Sequence, residues 1–249
     1  MGWRANFYVI AFLATLSCFA TWFCIKETLP VAKRNSFTPL TVLKNYCSLI
    51  ANVPFMSHTL IWCFGFSIIV VFIANLSLIF IDYLQVPKEV FGYYQSAIMG
   101  AYFLGSMGGS YLLKKIGMGT TRIIGDIAYF GGIVFLLELT FAHTNSPLMF
   151  IIAMSLVSLG QALAGPVYFT YSMTYIDEML KGSAMSLIQP LRFSITSAFV
   201  GIAASVFDGT TRPMSLLAII SAVVCLGLYV LSFGLTANRS MISLPGSVR

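Results

Sequence analysis

Seven long apolar stretches, at 5–25, 57–81, 92–113, 123–142, 147–170, 184–207 and 214–235, carry almost no charge, and the basic residues gather on alternate connections between them. A helix needs about 20 apolar residues to cross the hydrocarbon core of a bilayer. Lipid offers no hydrogen bonds to the backbone, so an apolar span of this length must close its own bonds as an α-helix. The expected fold class is an all-α polytopic membrane protein with seven transmembrane helices. The composition agrees: 58% of residues are hydrophobic and 9% charged, against about 25% charged in a soluble domain. The first stretch has no small-residue cleavage site after it and reads as a membrane helix rather than a secretion signal.

The net charge of +6 bears on orientation and not on nucleic acid. One set of alternate connections holds Lys26, Lys33, Arg34, Lys44, Lys114, Lys115, Arg122, Lys181, Arg239 and Arg249, and the opposite set holds Arg4, Lys88 and Arg212. Basic residues stay on the cytoplasmic side of membrane helices. This bias puts the 26–56 segment and the C-terminus in the cytoplasm and the N-terminus outside, in the cell (inner) membrane.

The longest connection, 26–56, opens with Lys26-Glu27-Thr28-Leu29-Pro30, where proline ends the first helix. Between Pro39 and Pro54, Leu40, Leu43, Cys47, Leu49 and Ile50 recur at helical spacing and predict a short amphipathic helix on the membrane surface. Gly117-Met118-Gly119, Asn145-Ser146-Pro147 and Asp208-Gly209-Thr210 are turn sequences between spans. Gly105 with Gly109, and Ser106 with Ser110, are small-xxx-small pairs that let helices approach closely. The cysteines, Cys18, Cys24, Cys47, Cys63 and Cys225, are scattered, and the two histidines lie 85 residues apart. No metal site, cofactor or nucleophile–base set is expected, and no enzyme activity.

Polar residues inside the spans are the candidate functional residues. Ser158, Gln161, Gly165, Tyr168 and Ser172 fall on one stripe of a helix that Pro166 interrupts. Such a stripe lines a cavity or makes a helix–helix contact. Asn75 carries the same two readings. Arg192 lies about 12 Å into its span, where a charge faces a partner, faces water or snorkels to the interface. Asp126 is four residues from Arg122, the spacing of an ion pair. Glu138 reaches the outer interface or carries a proton.

Gly2-Trp3-Arg4 before a helix, Glu27-Thr28-Leu29-Pro30 after it, Asn45-Tyr46 in the basic loop, Pro54-Phe55, Asp208-Gly209-Thr210 and Pro213-Met214 follow one another in an order that resembles the drug-resistance Bcr/CflA subfamily of the major facilitator superfamily. The resemblance implies export of small, hydrophobic, drug-like molecules in exchange for protons. It also implies a division of the chain. Residues 1–25 match the sixth of the family's twelve helices, 26–56 the cytoplasmic central loop, 57–235 the six-helix C-terminal half, and 236–249 a cytoplasmic tail. The first and fourth helices of such a half line its cavity, which points to Asn75, Gln161 and Tyr168 as substrate contacts, with Arg192 added from its depth. Lys115, Gly117 and Arg122 sit where a degenerate copy of the family's G-x-x-x-D-R-x-G-[RK] loop falls, with Ser110 and Lys114 replacing its glycine and aspartate. The expected partners are a small-molecule substrate, protons, the lipid bilayer and a separate N-terminal transporter half, the chain being read as a truncated or split transporter. An inactive relict or non-transporting assembly partner is the alternative, with a seven-helix receptor behind it.

Overall fold

The computed structural model describes residues 4–24, 38–142 and 146–242, with side chains followed to 232. Expectations resting on Gly2-Trp3, on 25–37 with Lys26, Glu27, Pro30, Lys33 and Arg34, on His143 and Asn145, on the Arg239 side chain and on Arg249 lie outside the described residues. The regular structure is all helical, with no strand among the described residues. In order these are α1 (Arg4–Cys24), α2 (Pro39–Ala51), α3 (Val53–Ser77) extended by a π-turn at Leu78–Tyr83, α4 (Lys88–Phe141), α5 (Pro147–Thr174), α6 (Lys181–Val206) and α7 (Arg212–Ile242).

The chain divides into two compact units, 1–41 and 42–249. In the first, α1 has the length and apolarity to cross a membrane. Phe7, Phe12, Leu16 and Trp22 are exposed. Thr15 and Thr21 turn their hydroxyls back onto the carbonyls of Ala11 and Ser17 at 2.8 Å, which removes two donors from a surface that lipid must cover. Thr38 caps the start of α2 by accepting the Thr41 amide at 3.3 Å.

The second unit is a helical bundle. Helix α4 is continuous except at Gly117, where φ is 81° and ψ 170°. Only glycine adopts that backbone without strain. Packing against α5 shows what the break does. Gly105 and Gly109 of the first arm meet Leu159 and Leu163 in rising order, whereas Gly125 and Gly132 of the second arm meet Gly160 and Ala153 in falling order. The arms are therefore antiparallel, and the expected turn at 117–119 is a single residue. On α3, Ile61 faces Cys225 and Phe64 faces Ser221 of α7, while Ser67 pairs with Thr196 of α6 at 3.1 Å. The six spans from α3 to α7 thus alternate in direction.

The helices extend beyond the apolar windows. Asn52 caps α3 through the Phe55 amide at 3.1 Å, with Pro54 in the first turn. Helix α7 continues to Ile242, through part of the stretch expected as a tail. Pro166 does not interrupt α5. The expected surface helix forms at 39–51, but it has two faces. Leu49 is buried, Tyr46 shares a 2.9 Å hydrogen bond with Ser186, and Leu40, Leu43, Cys47 and Ile50 point away from the protein. At the other end, Asp208 accepts both the amide and the hydroxyl of Thr210, at 2.9 and 2.6 Å, before Gly209 turns the chain with φ 82°. Those bonds hold the Asp208 carboxyl below its ordinary pKa.

Candidate functional site

A cavity of about 330 Å³ lies between α3, the second arm of α4, α5 and α7. Ile61 and Gly65 contribute from α3, Gln161, Ala164 and Tyr168 from α5, and Cys225, Leu226 and Tyr229 from α7. The second arm of α4 supplies Arg122, Ile123, Asp126, Ile127, Tyr129 and Phe130. Small residues open this space. The Gln161 side chain lies over Gly65, where any Cβ would strike its amide. From there Gln161 donates to the Trp62 carbonyl at 3.1 Å.

The polar wall is one connected group. Tyr168 donates its hydroxyl to Asp126 Oδ2 at 2.8 Å. Arg122 Nε stands 3.8 Å from the same oxygen, the i,i+4 pair expected from spacing. Arg122 Nη2 donates to the Tyr229 hydroxyl at 3.2 Å, and the guanidinium stacks on the Tyr229 and Tyr168 rings at 4.9 and 5.9 Å. Three helices are joined here, and the pair carries no net charge. That is how two ions persist among largely apolar walls, where an unpaired charge is costly. Arg122 Nε has no hydrogen-bond partner. That nitrogen is buried against Asp126, so it is not a donor open to the cavity.

Beside this group, His58 bonds the Pro54 carbonyl through Nδ1 at 2.8 Å and faces the Ser232 hydroxyl with Nε2 at 3.3 Å. The carbonyl only accepts, so Nδ1 carries the proton and Nε2 receives the Ser232 donor. Tyr168, Tyr171 and Tyr175 surround the ring at 6.1, 5.7 and 5.4 Å.

Of the residues singled out in the sequence, Gln161, Tyr168, Arg122 and Asp126 lie in the cavity wall and Gly117 at the break before the second arm. Asn75 is buried but donates to Val71 of its own helix at 2.8 Å. Arg192 lies apart, its guanidinium over Trp62, Phe66 and Phe193 at 4.8, 4.6 and 5.2 Å, with Nε unbonded. Glu138 is exposed on the second arm outside the cavity. Lys115 is exposed and stands 5.7 Å from the Tyr111 ring. Sequence reasoning did not find Tyr229, His58, Gly65 or the Asp126–Tyr168 bond, because their partners are 42 to 174 residues away. No group of histidine, cysteine or carboxylates able to hold a metal occurs among the described residues.

The chain is 24% identical over 246 residues to the bicyclomycin resistance protein homolog of Haemophilus influenzae, an alignment covering 97% of this chain and 59% of that protein. The chain thus spans a little over half the length of the curated relative it matches. A sequence profile of the Major Facilitator Superfamily matches residues 1–201. With most of its length matched and its bundle all helical, this multi-pass membrane protein belongs to the Major Facilitator Superfamily.

Proposed function

We propose that the chain serves in export of small, lipophilic molecules across the cell membrane, in exchange for protons. In this reading 57–235 is the six-helix C-terminal half of a facilitator, 1–25 the helix before it, 26–56 the cytoplasmic connection and 236–249 the tail. The 114–119 turn lies inside. The similarity to a bicyclomycin resistance homologue supports a drug-like substrate. The observation that carries the reading is the cavity itself. It is large enough for a small ligand, mostly apolar, and set with an Arg122–Asp126–Tyr168–Tyr229 group that orients a polar handle. A full exporter forms its central site between two halves, so a separate N-terminal half completes the path.

Among the sequence candidates, Gln161 and Tyr168 then contact substrate directly. Arg192 and Asn75 act elsewhere on α6 and α3. Of the two carboxylates on the second arm, Asp126 faces the cavity and Glu138 does not, which favours Asp126 for the proton-carrying step. Lys115 and Gly117 hold the turn from which Arg122 projects.

The test is efflux from cells stripped of their own exporters and expressing the native gene product. Bicyclomycin, which is uncharged and carries amide carbonyls, is the probe. Removing the Tyr168 hydroxyl takes a hydrogen bond from a charged group, an effect of about 2 kcal/mol or roughly tenfold or more in rate. Tyr168→Phe is expected to lower efflux by that factor at unchanged membrane abundance. Equal efflux by wild type and variant removes this cavity from the transport path.

A further inference from the structure

The cavity has a closed floor and an apolar lip. Its inner wall is closed: Ile61, Ala164 and Cys225 are 6%, 3% and 4% exposed. Its rim is the opposite: Ile123, Ile127 and Leu226 are 49%, 68% and 48% exposed. The outward faces of the same two helices continue in kind, with Ile124 and Val134 on α4 and Val223 and Val230 on α7. The charged side chains beside it are less open, Arg122 at 16% and Asp126 at 23%. Arg122 and Asp126, which do carry charge, are turned inward onto Tyr168 and Tyr229. An opening to water is rimmed by polar groups, whereas one rimmed only by isoleucine, valine and leucine on spanning helices opens into hydrocarbon.

We propose that this cavity is a lateral site filled from the bilayer between the second arm of α4 and α7. Its ligand is a lipid-dissolved molecule with an apolar body and one uncharged acceptor, such as an ester or amide carbonyl. The body lies on Ile123, Ile127, Phe130 and Leu226, and the carbonyl accepts from the terminal N–H groups of the Arg122 guanidinium, which lines the cavity. The acceptor is uncharged because Asp126 already balances the arginine; an added anion would leave the buried group with net charge. The inference deepens the export reading by naming the substrate class and its route. Access, however, is measurable without any transport.

Cys225 is a built-in reporter on the cavity wall. The experiment uses the full chain in permeabilised proteoliposomes, with Cys18, Cys24, Cys47 and Cys63 replaced by alanine. N-(1-pyrenyl)maleimide, which dissolves in lipid, is compared with a sulfonated maleimide confined to water. Because apolar rings concentrate in hydrocarbon, the pyrenyl reagent is expected to react about tenfold faster or more. Ile127→Trp, which fills the lip, is expected to slow it. Methyl laurate is expected to protect Cys225 where dodecane does not, and Arg122→Met to abolish that difference. Equal or faster reaction with the sulfonated reagent, or reaction with neither, overturns the lateral route; equal protection by ester and alkane overturns the role given to Arg122.

Ester-linked and ether-linked phospholipids distinguish the two sources of a carbonyl. Labelling that is slower in ester lipid assigns the site to the phospholipid itself. Equal labelling leaves it to a dissolved small molecule. A nitroxide on Ile127→Cys, at an exposed position where folding is not at risk, gives the independent reading. Relaxation by oxygen and not by a water-soluble nickel chelate is expected, and the reverse result overturns the proposal. Failed efflux with correct labelling discards the transport reading and keeps the site.

Discussion

Asp126 receives a tyrosine hydroxyl from one helix and stands beside an arginine on its own, so two neighbours depend on one carboxylate. Removing it leaves Arg122 as an uncompensated charge among apolar walls. Breaking one side of a buried pair costs about 3–5 kcal/mol, whereas removing both partners costs much less. Asp126→Ala is therefore expected to lower the thermal unfolding midpoint of the detergent-solubilised protein more than the Arg122→Met, Asp126→Ala double variant does. A double variant less stable than either single one would mean that the two residues act independently. The spacing of Arg122 and Asp126 was legible along the chain, since i,i+4 neighbours share a helix face. Tyr168 and Tyr229 were not, because nothing local to them marks a partner on another helix.

At the scale of the element, the grip of α4 on α5 depends on glycines. A Cβ on Gly160 would press into the Tyr129 amide and lie 2.6 Å from the Gly125 carbonyl. One on Gly132 would lie 2.8 Å from the Ala153 carbonyl. These atoms are backbone and cannot turn aside. In lipid, helix association rests on close packing more than on apolar burial, so lost approach is lost stability. Gly160→Ala is expected to destabilise the bundle by about 1–3 kcal/mol. Gly131→Ala, where a Cβ meets nothing within 4 Å, is expected to be neutral or to stabilise by about 0.5–1 kcal/mol through helix propensity. Thermal unfolding of the two variants in one detergent makes the comparison, and equal midpoints would refute the packing account. The Gly105 and Gly109 pair was visible in sequence, and both glycines do pack on α5. Ser106 and Ser110, at the same spacing, are exposed. Spacing shows which residues share a face but not which face meets a neighbour.

For the whole molecule, the alternation of six spans converts a charge count into a topology. Lys114 and Lys115 lie at one end of the first arm of α4 and Lys88 at the other, so the inside placement of 114–119 proposed above rests on the positive-inside bias. Single cysteines placed at Lys88 and Lys114 of a cysteine-free chain are expected to separate in intact cells. A sulfonated maleimide labels position 88 and reaches 114 only after permeabilisation. The opposite pattern reverses the orientation and moves the Arg122 end of the cavity to the outer side.

Hydropathy alone determined that this chain is a membrane-spanning helical bundle, how many apolar spans it has and roughly where each runs. Each of those follows from lipid's refusal of unpaired backbone, which acts on contiguous segments. The order of short motifs pointed further, to the superfamily that the profile match then showed. Only the tertiary structure decided that Gly117 by itself separates two antiparallel arms, that Gln161 and Tyr168 border a common cavity while Asn75 and Arg192 do not, and that Ile123, Ile127 and Leu226 of that cavity are exposed. Those outcomes depend on which faces of separate helices meet, and that choice is made by the fit of side chains distant in sequence rather than by any local pattern.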